Sequence, residues 1–253
     1  ELVDLNVRWA SARGLAPPTQ RPRAYHADAM SHTLTIDFNK PIALFPLPGC
    51  VLLPHNATPL HIFEPRYRAM TRDALDSTGL IAMASMLTDD TMDELGRPRI
   101  AECVCVGYVV RHDRLPDGRY NILLQGLARA KVQEEVEENS GGYRRAILRP
   151  TEPSTMEIDL DALRRELDAL LTDDTLRGLA GISAVNNWAT PELPTAAVTD
   201  LVWNALCRGG EERYRVLAEA CPIRRTVRLV SLLRQTRRTL EKAEQMGPCT
   251  SEH

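Results

Sequence analysis

The sequence predicts an α+β protein in which the strands come first and the helices follow. Between Pro41 and Pro150, short apolar runs alternate with Gly, Pro, Asp and Asn, a pattern typical of strands joined by turns. After Pro150, apolar residues recur at helical spacing in several segments. Because the two classes are segregated along the chain, we expect a β-rich unit followed by a bundle of about four helices.

The composition is that of an ordinary globular protein. The 253 residues are 43% hydrophobic and 26% charged, which allows one large domain or two small ones. A formal net charge of −3 gives no overall attraction to nucleic acid or to an anionic membrane. The six cysteines are widely spaced, as expected for reduced, mostly buried thiols of a cytoplasmic protein. No apolar run approaches the roughly 18 residues that a membrane span needs.

Four regions are expected along the chain. Residues 1–40 are interpreted as an N-terminal extension, in which Leu2, Leu5 and Trp9 have the spacing of a short helical face. Pro17-Pro18 then interrupts regular structure, so a loose lead-in is expected. Residues 41–150 form the β unit, residues 151–243 the helical unit and residues 244–253 a tail.

Seven segments of the β unit are predicted to be strands. Their bounds are Ile42–Leu47, Thr58–Phe63, Leu80–Leu87, Ile100–Arg111, Arg119–Gln125, Leu127–Glu135 and Tyr143–Leu148. The turn Leu115-Pro116-Asp117-Gly118 predicts a hairpin, because Pro presets one backbone angle and Gly permits a positive φ. Glu64–Asp76 is predicted to be a helix, since Pro65 suits a first helical turn.

The helical unit is predicted from apolar periodicity. One face is formed by Leu160, Leu163, Leu167, Leu170 and Leu171. A second helix follows Pro194-Thr195, and a third covers Glu211–Cys221. The last helix opens at Pro222, and its buried stripe is predicted to contain Ile223, Val227, Val230, Leu233 and Leu240.

Four ordered blocks of the β unit carry a family likeness. The first runs from Ile42-Ala43-Leu44-Phe45-Pro46-Leu47-Pro48-Gly49 through Val51-Leu52-Leu53-Pro54 to Pro59-Leu60-His61-Ile62-Phe63-Glu64-Pro65-Arg66-Tyr67. The others are Val106–Val110, Asp117–Ala130 and Tyr143–Ala146. Together they closely resemble the substrate-binding domain of Lon protease, as found in stand-alone bacterial proteins. The match spans about residues 41–150 and continues weakly into the helices.

The resemblance implies a PUA-like antiparallel β pseudo-barrel followed by a C-terminal helical bundle. In full-length Lon this region helps to recognise unfolded or tagged polypeptides for the ATPase that follows. The family has no catalytic residues in this part, so none is carried over. The motif residues are interpreted as structural, while His61, Glu64, Arg66 and Tyr67 are also considered as ligand contacts. The motif set is Phe45, Pro46, Leu47, Pro54, Pro59, His61, Phe63, Glu64, Arg66, Tyr67, Gly107, Gly118 and Gly126.

The sequence lacks the common motifs for catalysis. There is no phosphate-cradling Gly-x4-Gly-Lys-Ser/Thr run and no Ser-x-x-Lys or Gly-x-Ser-x-Gly nucleophile motif. Cys103-Val104-Cys105 is the nearest approach to a metal pair, but two small core residues on one strand face are the simpler interpretation. We therefore expect no enzyme activity, no metal and no cofactor.

The leading functional hypothesis is a polypeptide-recognition module that works as an adaptor, with a separate protease or chaperone as a further partner. Trp188, in an Asn-rich loop, is a candidate peptide contact, although a core residue that closes the helical bundle is the simpler interpretation. The alternative is nucleic-acid binding by an arginine-rich last helix, with a solvated basic face as the simpler interpretation. A small-molecule pocket is a third, less favoured hypothesis. The arginines are Arg224, Arg225, Arg228, Arg234, Arg237 and Arg238.

Overall fold

The computed structural model describes residues 2–7, 32–87, 91–136, 141–152, 160–186 and 190–246. The strands in these ranges are β1 (Leu2–Val7), β2 (His32–Asp37), β3 (Ile42–Leu47), β4 (Ala57–Ile62), β5 (Leu80–Met86), β6 (Ile100–Arg114), β7 (Tyr120–Val136) and β8 (Arg145–Pro150). The helices are α1 (Pro65–Leu75), α2 (Asp161–Leu171), α3 (Asp174–Arg177), α4 (Ala180–Asn186), α5 (Thr195–Leu206), α6 (Gly210–Ala218) and α7 (Pro222–Met246).

Six strands form one sheet in the order β4-β7-β6-β5-β3-β8, and β7 also pairs with β8 so that the sheet curls back on itself. The α+β class is confirmed. The sheet is antiparallel except between β3 and β5, which run parallel with Ala43 opposite Ile81. This pair departs from the antiparallel pairing predicted for the barrel. The reason is the long connection through β4 and α1, since a crossover allows neighbouring strands to run in the same direction.

The predicted hairpin after β6 is present, but the strand after it is longer than the sequence indicates. Gly118 has a φ of +82° in the turn, and Leu115 N–H donates to the carbonyl of Arg119 at 2.8 Å. Two predicted strands form the single strand β7, namely Arg119–Gln125 and Leu127–Glu135. Gly126, which suggested a break, lies inside β7 beside a shift of register opposite Gly107. The sheet therefore bends at this point without ending.

The N-terminal segment differs from its prediction. Leu2–Val7 is a strand that pairs antiparallel with β2, with Leu5 opposite Leu34, so the expected helical face is wrong. Trp9 lies outside the described residues. Val3 and Leu34 pack against an apolar cluster that includes Ile36 and Phe38. Both described ends of the predicted extension thus belong to the folded structure.

Two apolar clusters hold the fold together. Alternate residues of β5 supply them: Ile81 and Met83 belong to one, and Leu80 and Ala82 to the other, because successive side chains point to opposite faces of a strand. The first cluster is continuous from the sheet into the helices, where it includes Leu171. The sheet and the helices therefore share one core, and they are held in a fixed relation to each other.

The inward face of α7 is not the predicted stripe. Val230 and Leu233 are buried, but Ile223 and Val227 are 38% and 45% exposed. Arg225 and Thr226 occupy the buried positions of the first turns instead. Arg225 can be buried there because it forms ion pairs with Asp200 and Glu152. None of the helices in the described ranges has the length and apolar character needed to cross a membrane.

Candidate functional site

A cleft of about 160 Å³ lies where five segments of the β unit meet. Pro46 of β3 and Met86 of β5 supply apolar walls, and the first turn of α1 supplies Arg66 and Tyr67. The other walls are Gly96–Pro98, before β6, and Gly142–Arg144, before β8. The cleft is smaller than a typical pocket for a drug-sized ligand, so its size suits a single amino-acid residue.

All three charged residues that line the cleft are arginines. Arg66 donates from Nε to Glu64 at 3.0 Å, and Arg97 donates from Nε to Asp93 at 2.8 Å. Arg144 is buried, and its guanidinium donates to Glu135 and to the carbonyl of Pro98. These partners fix the planes of the guanidinium groups, while the carboxylates stay outside the lining. The cleft lining therefore contains three guanidinium groups, and each is paired with a carboxylate that lies outside the lining.

Tyr67 provides a buried polar group at the cleft. Its side chain is 4% exposed, and its hydroxyl has no hydrogen-bond partner among the described residues. Its ring contacts Phe45 edge-on at 4.6 Å, and the Arg66 guanidinium carbon lies 4.5 Å above the ring centre. Burial raises the pKa of Tyr67, so the hydroxyl keeps its proton and remains a donor. An unpaired buried donor is costly, so a ligand oxygen that reached this hydroxyl would relieve that cost.

One side of the cleft carries exposed apolar side chains. Met92 and Leu95 are 57% and 72% exposed in the turn between β5 and β6. Met92 is bridged to Pro98, and Leu95 precedes Gly96, so both belong to the loop that forms the cleft wall. Asp93 shapes this loop by accepting hydrogen bonds from the N–H groups of Leu95 and Arg97. We call Leu87, Met92 and Leu95 the apolar rim.

A separate buried ion cluster joins the sheet to the helices. Arg129 of β7 donates two hydrogen bonds to Asp200 of α5 at 2.6 and 2.8 Å, and their side chains are 1% and 0% exposed. Arg225 of α7 lies 3.3 Å from the same carboxylate, and Glu152 contacts both arginines. Burial by itself would lower the pKa of Arg129, but Asp200 and Glu152 raise it, so the cation is retained. With every charge paired, the cluster fixes the geometry between the two units.

The family-motif residues divide between the cleft and structural positions. Pro46, Arg66 and Tyr67 line the cleft, and Glu64 holds Arg66. His61 lies apart from it, where Nδ1 is 2.7 Å from the Asn121 side-chain oxygen. The others occupy the sheet and its turns, except Phe63, which is 60% exposed. The remaining members are Phe45, Leu47, Pro54, Pro59, Gly107, Gly118 and Gly126.

The arginines of the last helix do not form one open basic face. Arg225 is buried in the ion cluster, so its prediction as a contact for an anionic partner is wrong. Arg224 pairs with Glu219, Arg234 with Glu166, and Arg237 with both Asp173 and Glu241. Arg228 and Arg238 are exposed and have no ion pair with a described residue. Ion pairs therefore neutralise the charge of three of the six arginines, and a fourth is buried.

The thiols of the described residues are free, and three of them are buried. Cys103 and Cys105 both pack in the first apolar cluster, and burial raises the pKa of Cys105 to about 12. No group of three or more metal-ligating side chains occurs in the described ranges. Trp188, the candidate peptide contact, lies outside them.

Sequence reasoning missed most of the cleft. Arg97 and Arg144 come from loops whose local patterns predict only turns, and nothing in their spacing relates them to Arg66. The signal that could have found Arg144 is its position in the last family block, Tyr143–Ala146.

The fold and the cleft define an α+β domain in which a curled sheet shares its core with a helical bundle. The sequence model of the substrate-binding domain of ATP-dependent protease La (LON) matches residues 41–235. Because this match covers more than half of the chain, the chain belongs to the LON substrate-binding domain family.

Individual relatives are identical to this chain at about a third of the aligned residues or fewer. The chain is 31% identical to Lon protease of Geobacter metallireducens over 142 residues, which is 55% of this chain and 17% of that protein. A Lon N-terminal domain protein from Xanthomonas campestris has 22% identity and a TM-score of 0.52, with 76% of this chain and 98% of that chain covered. The N-terminal domain of Mycobacterium avium complex Lon protease has 17% identity and a TM-score of 0.56, with 78% and 98% covered. These two structures support the fold alone.

Proposed function

We propose that this chain is a non-catalytic module that recognises polypeptide segments, and that it acts as an adaptor or recognition factor for unfolded or tagged protein. The observation that carries the proposal is the cleft with its apolar rim. An exposed polypeptide segment offers apolar side chains for Met92 and Leu95 and polar backbone groups for the arginines and Tyr67. The free buried thiols are compatible with work in the reducing cytoplasm.

Family membership supports the same proposal, because the family is described as the substrate-binding part of an ATP-dependent protease. We propose that a separate protease or chaperone acts on the bound polypeptide. The alternative, nucleic-acid binding through the last helix, has less support because Arg225 is buried and three other arginines are paired within the protein.

The proposal predicts salt-tolerant polypeptide binding. The purified chain would be titrated against a fluorescent unfolded polypeptide and a fluorescent single-stranded RNA, each at low and moderate salt. We expect micromolar polypeptide binding that weakens much less with salt than RNA binding would, because apolar contact contributes to it, and we expect weak RNA binding. Tight RNA binding that is lost on adding salt, with no polypeptide binding, would contradict the proposal and favour the last helix.

The rim predicts which variants lose this binding. Replacing Met92 and Leu95 by Ser should raise the polypeptide Kd about tenfold, because apolar area is no longer buried on binding. The matched control replaces Ile223 and Val227, the exposed apolar pair of α7, by Ser and should leave the Kd unchanged. Equal loss in both double variants would show that binding is non-specific adhesion to apolar surface.

A further inference from the structure

We infer that the cleft binds the carboxyl terminus of a polypeptide whose last residue has an apolar side chain. This inference rests on the proposed function and names the feature that is recognised. Every charged side chain lining the cleft is an arginine, and the guanidinium fork suits a carboxylate. Arg66 uses Nε and Nη2 to hold Glu64, which leaves its Nη1 without a partner among the described residues.

Two further groups favour a carboxylate. The Tyr67 hydroxyl is a buried donor without a partner in the described ranges, and a carboxylate oxygen would satisfy it. The first turn of α1, which contributes both Arg66 and Tyr67, has no side-chain cap. Uncapped amides and the positive end of the helix dipole attract negative charge. Arg66 and Tyr67 both line the cleft, so the start of α1 lies beside it.

The apolar walls decide between a chain end and an internal acidic residue. Pro46, Met86 and Pro98 lie beside the arginines, so the cleft offers an apolar and a cationic surface to the same residue. An internal Asp or Glu brings a carboxylate but no second, apolar side chain. A C-terminal apolar residue brings both, and a cleft of about 160 Å³ suits a single residue. The preceding residues of the polypeptide would then lie along the apolar rim.

The test compares three short, unstructured fluorescent peptides of one sequence. The first ends in Leu with a free carboxylate, the second ends in the same Leu as an amide, and the third is that amide with an internal Asp added. We expect the amide to raise the Kd about tenfold or more, because charged hydrogen bonds are lost, and the internal Asp not to restore binding.

Two variants locate the effect in the cleft. Arg66→Met should weaken binding of the free acid about fivefold and leave the amide unchanged, whereas Arg215→Met, an exposed arginine paired with Glu211 on α6, should change neither. Tyr67→Phe should weaken binding of the acid about threefold. The unfolding midpoint should rise and should not fall, because the variant loses a buried donor that has no partner among the described residues.

The outcomes separate the two proposals. Equal affinity for acid and amide, or full recovery by the internal Asp, would overturn recognition of the chain end and leave polypeptide recognition standing. If none of the peptides binds, and the unfolded polypeptide does not bind either, both proposals are overturned.

Discussion

Replacing Asp200 by Asn is expected to lower the free energy of unfolding by about 3–5 kcal/mol, as measured by urea denaturation. Asn has the same shape but no charge. The substitution therefore leaves Arg129 and Arg225 buried with only Glu152, which is 33% exposed, as a counter-charge. Removal of one member of a buried ion cluster is costly because the remaining charges cannot return to water.

Asp174→Asn is the matched control for this change. Asp174 is 97% exposed and its ion pair with Arg177 spans 3.5 Å on the surface of α3. Surface pairs of this kind contribute little, so we expect a loss of no more than about 0.5 kcal/mol.

Because the sheet and helices share one core, the wild-type chain should unfold in one transition. A loss below about 1 kcal/mol for Asp200→Asn would contradict the role given to the ion cluster.

Replacing Gly126 by Ala is expected to destabilise the chain by about 3 kcal/mol. A Cβ at this position would lie 2.3 Å from the carbonyl oxygen of Leu53 and 3.0 Å from the Cys105 thiol. The neighbouring backbone is fixed, because His55 N–H donates to the Gly126 carbonyl at 2.9 Å and Gly126 N–H donates to Asn56 at 2.8 Å. Relief of the clash would break this pairing.

Gly178→Ala serves as the control for the glycine substitution. Gly178 has ordinary helical angles, with a φ of −63°, and a Cβ there meets only a carbonyl oxygen at 3.9 Å. We expect its midpoint in urea to stay within experimental error of the wild type. Similar midpoints for Gly126→Ala and Gly178→Ala would show that the close contact between Leu53 and β7 is not required for stability.

Local patterns predicted the strands well because each strand is decided by its own alternation and its bounding turns. Ile42–Leu47 is found with the predicted bounds, and α1 lies within Glu64–Asp76. Gly126 was misleading because glycine in a strand usually weakens it, whereas here it permits contact with Leu53. The prediction for residues 2–7 was wrong because three apolar residues do not distinguish a helix from a strand.

The ion cluster and the cleft could not be predicted from spacing. Arg129 and Asp200 are 71 positions apart, and both are charged residues in segments where apolar neighbours mark the core. The buried position of Arg225 depends on Asp200 and Glu152 lying opposite α7, which only the folded chain shows. The cleft likewise combines five segments, and the family motif supplied Pro46, Arg66 and Tyr67.

The central claim is that polypeptide binds at the cleft and its rim. Amide hydrogen exchange, compared with and without a saturating unfolded polypeptide, tests it most directly. We expect slower exchange in residues 91–98, in residues 141–144 and in the first turn of α1, because bound polypeptide excludes water from the cleft. Slower exchange confined to α7, with no change in these three segments, would contradict the account.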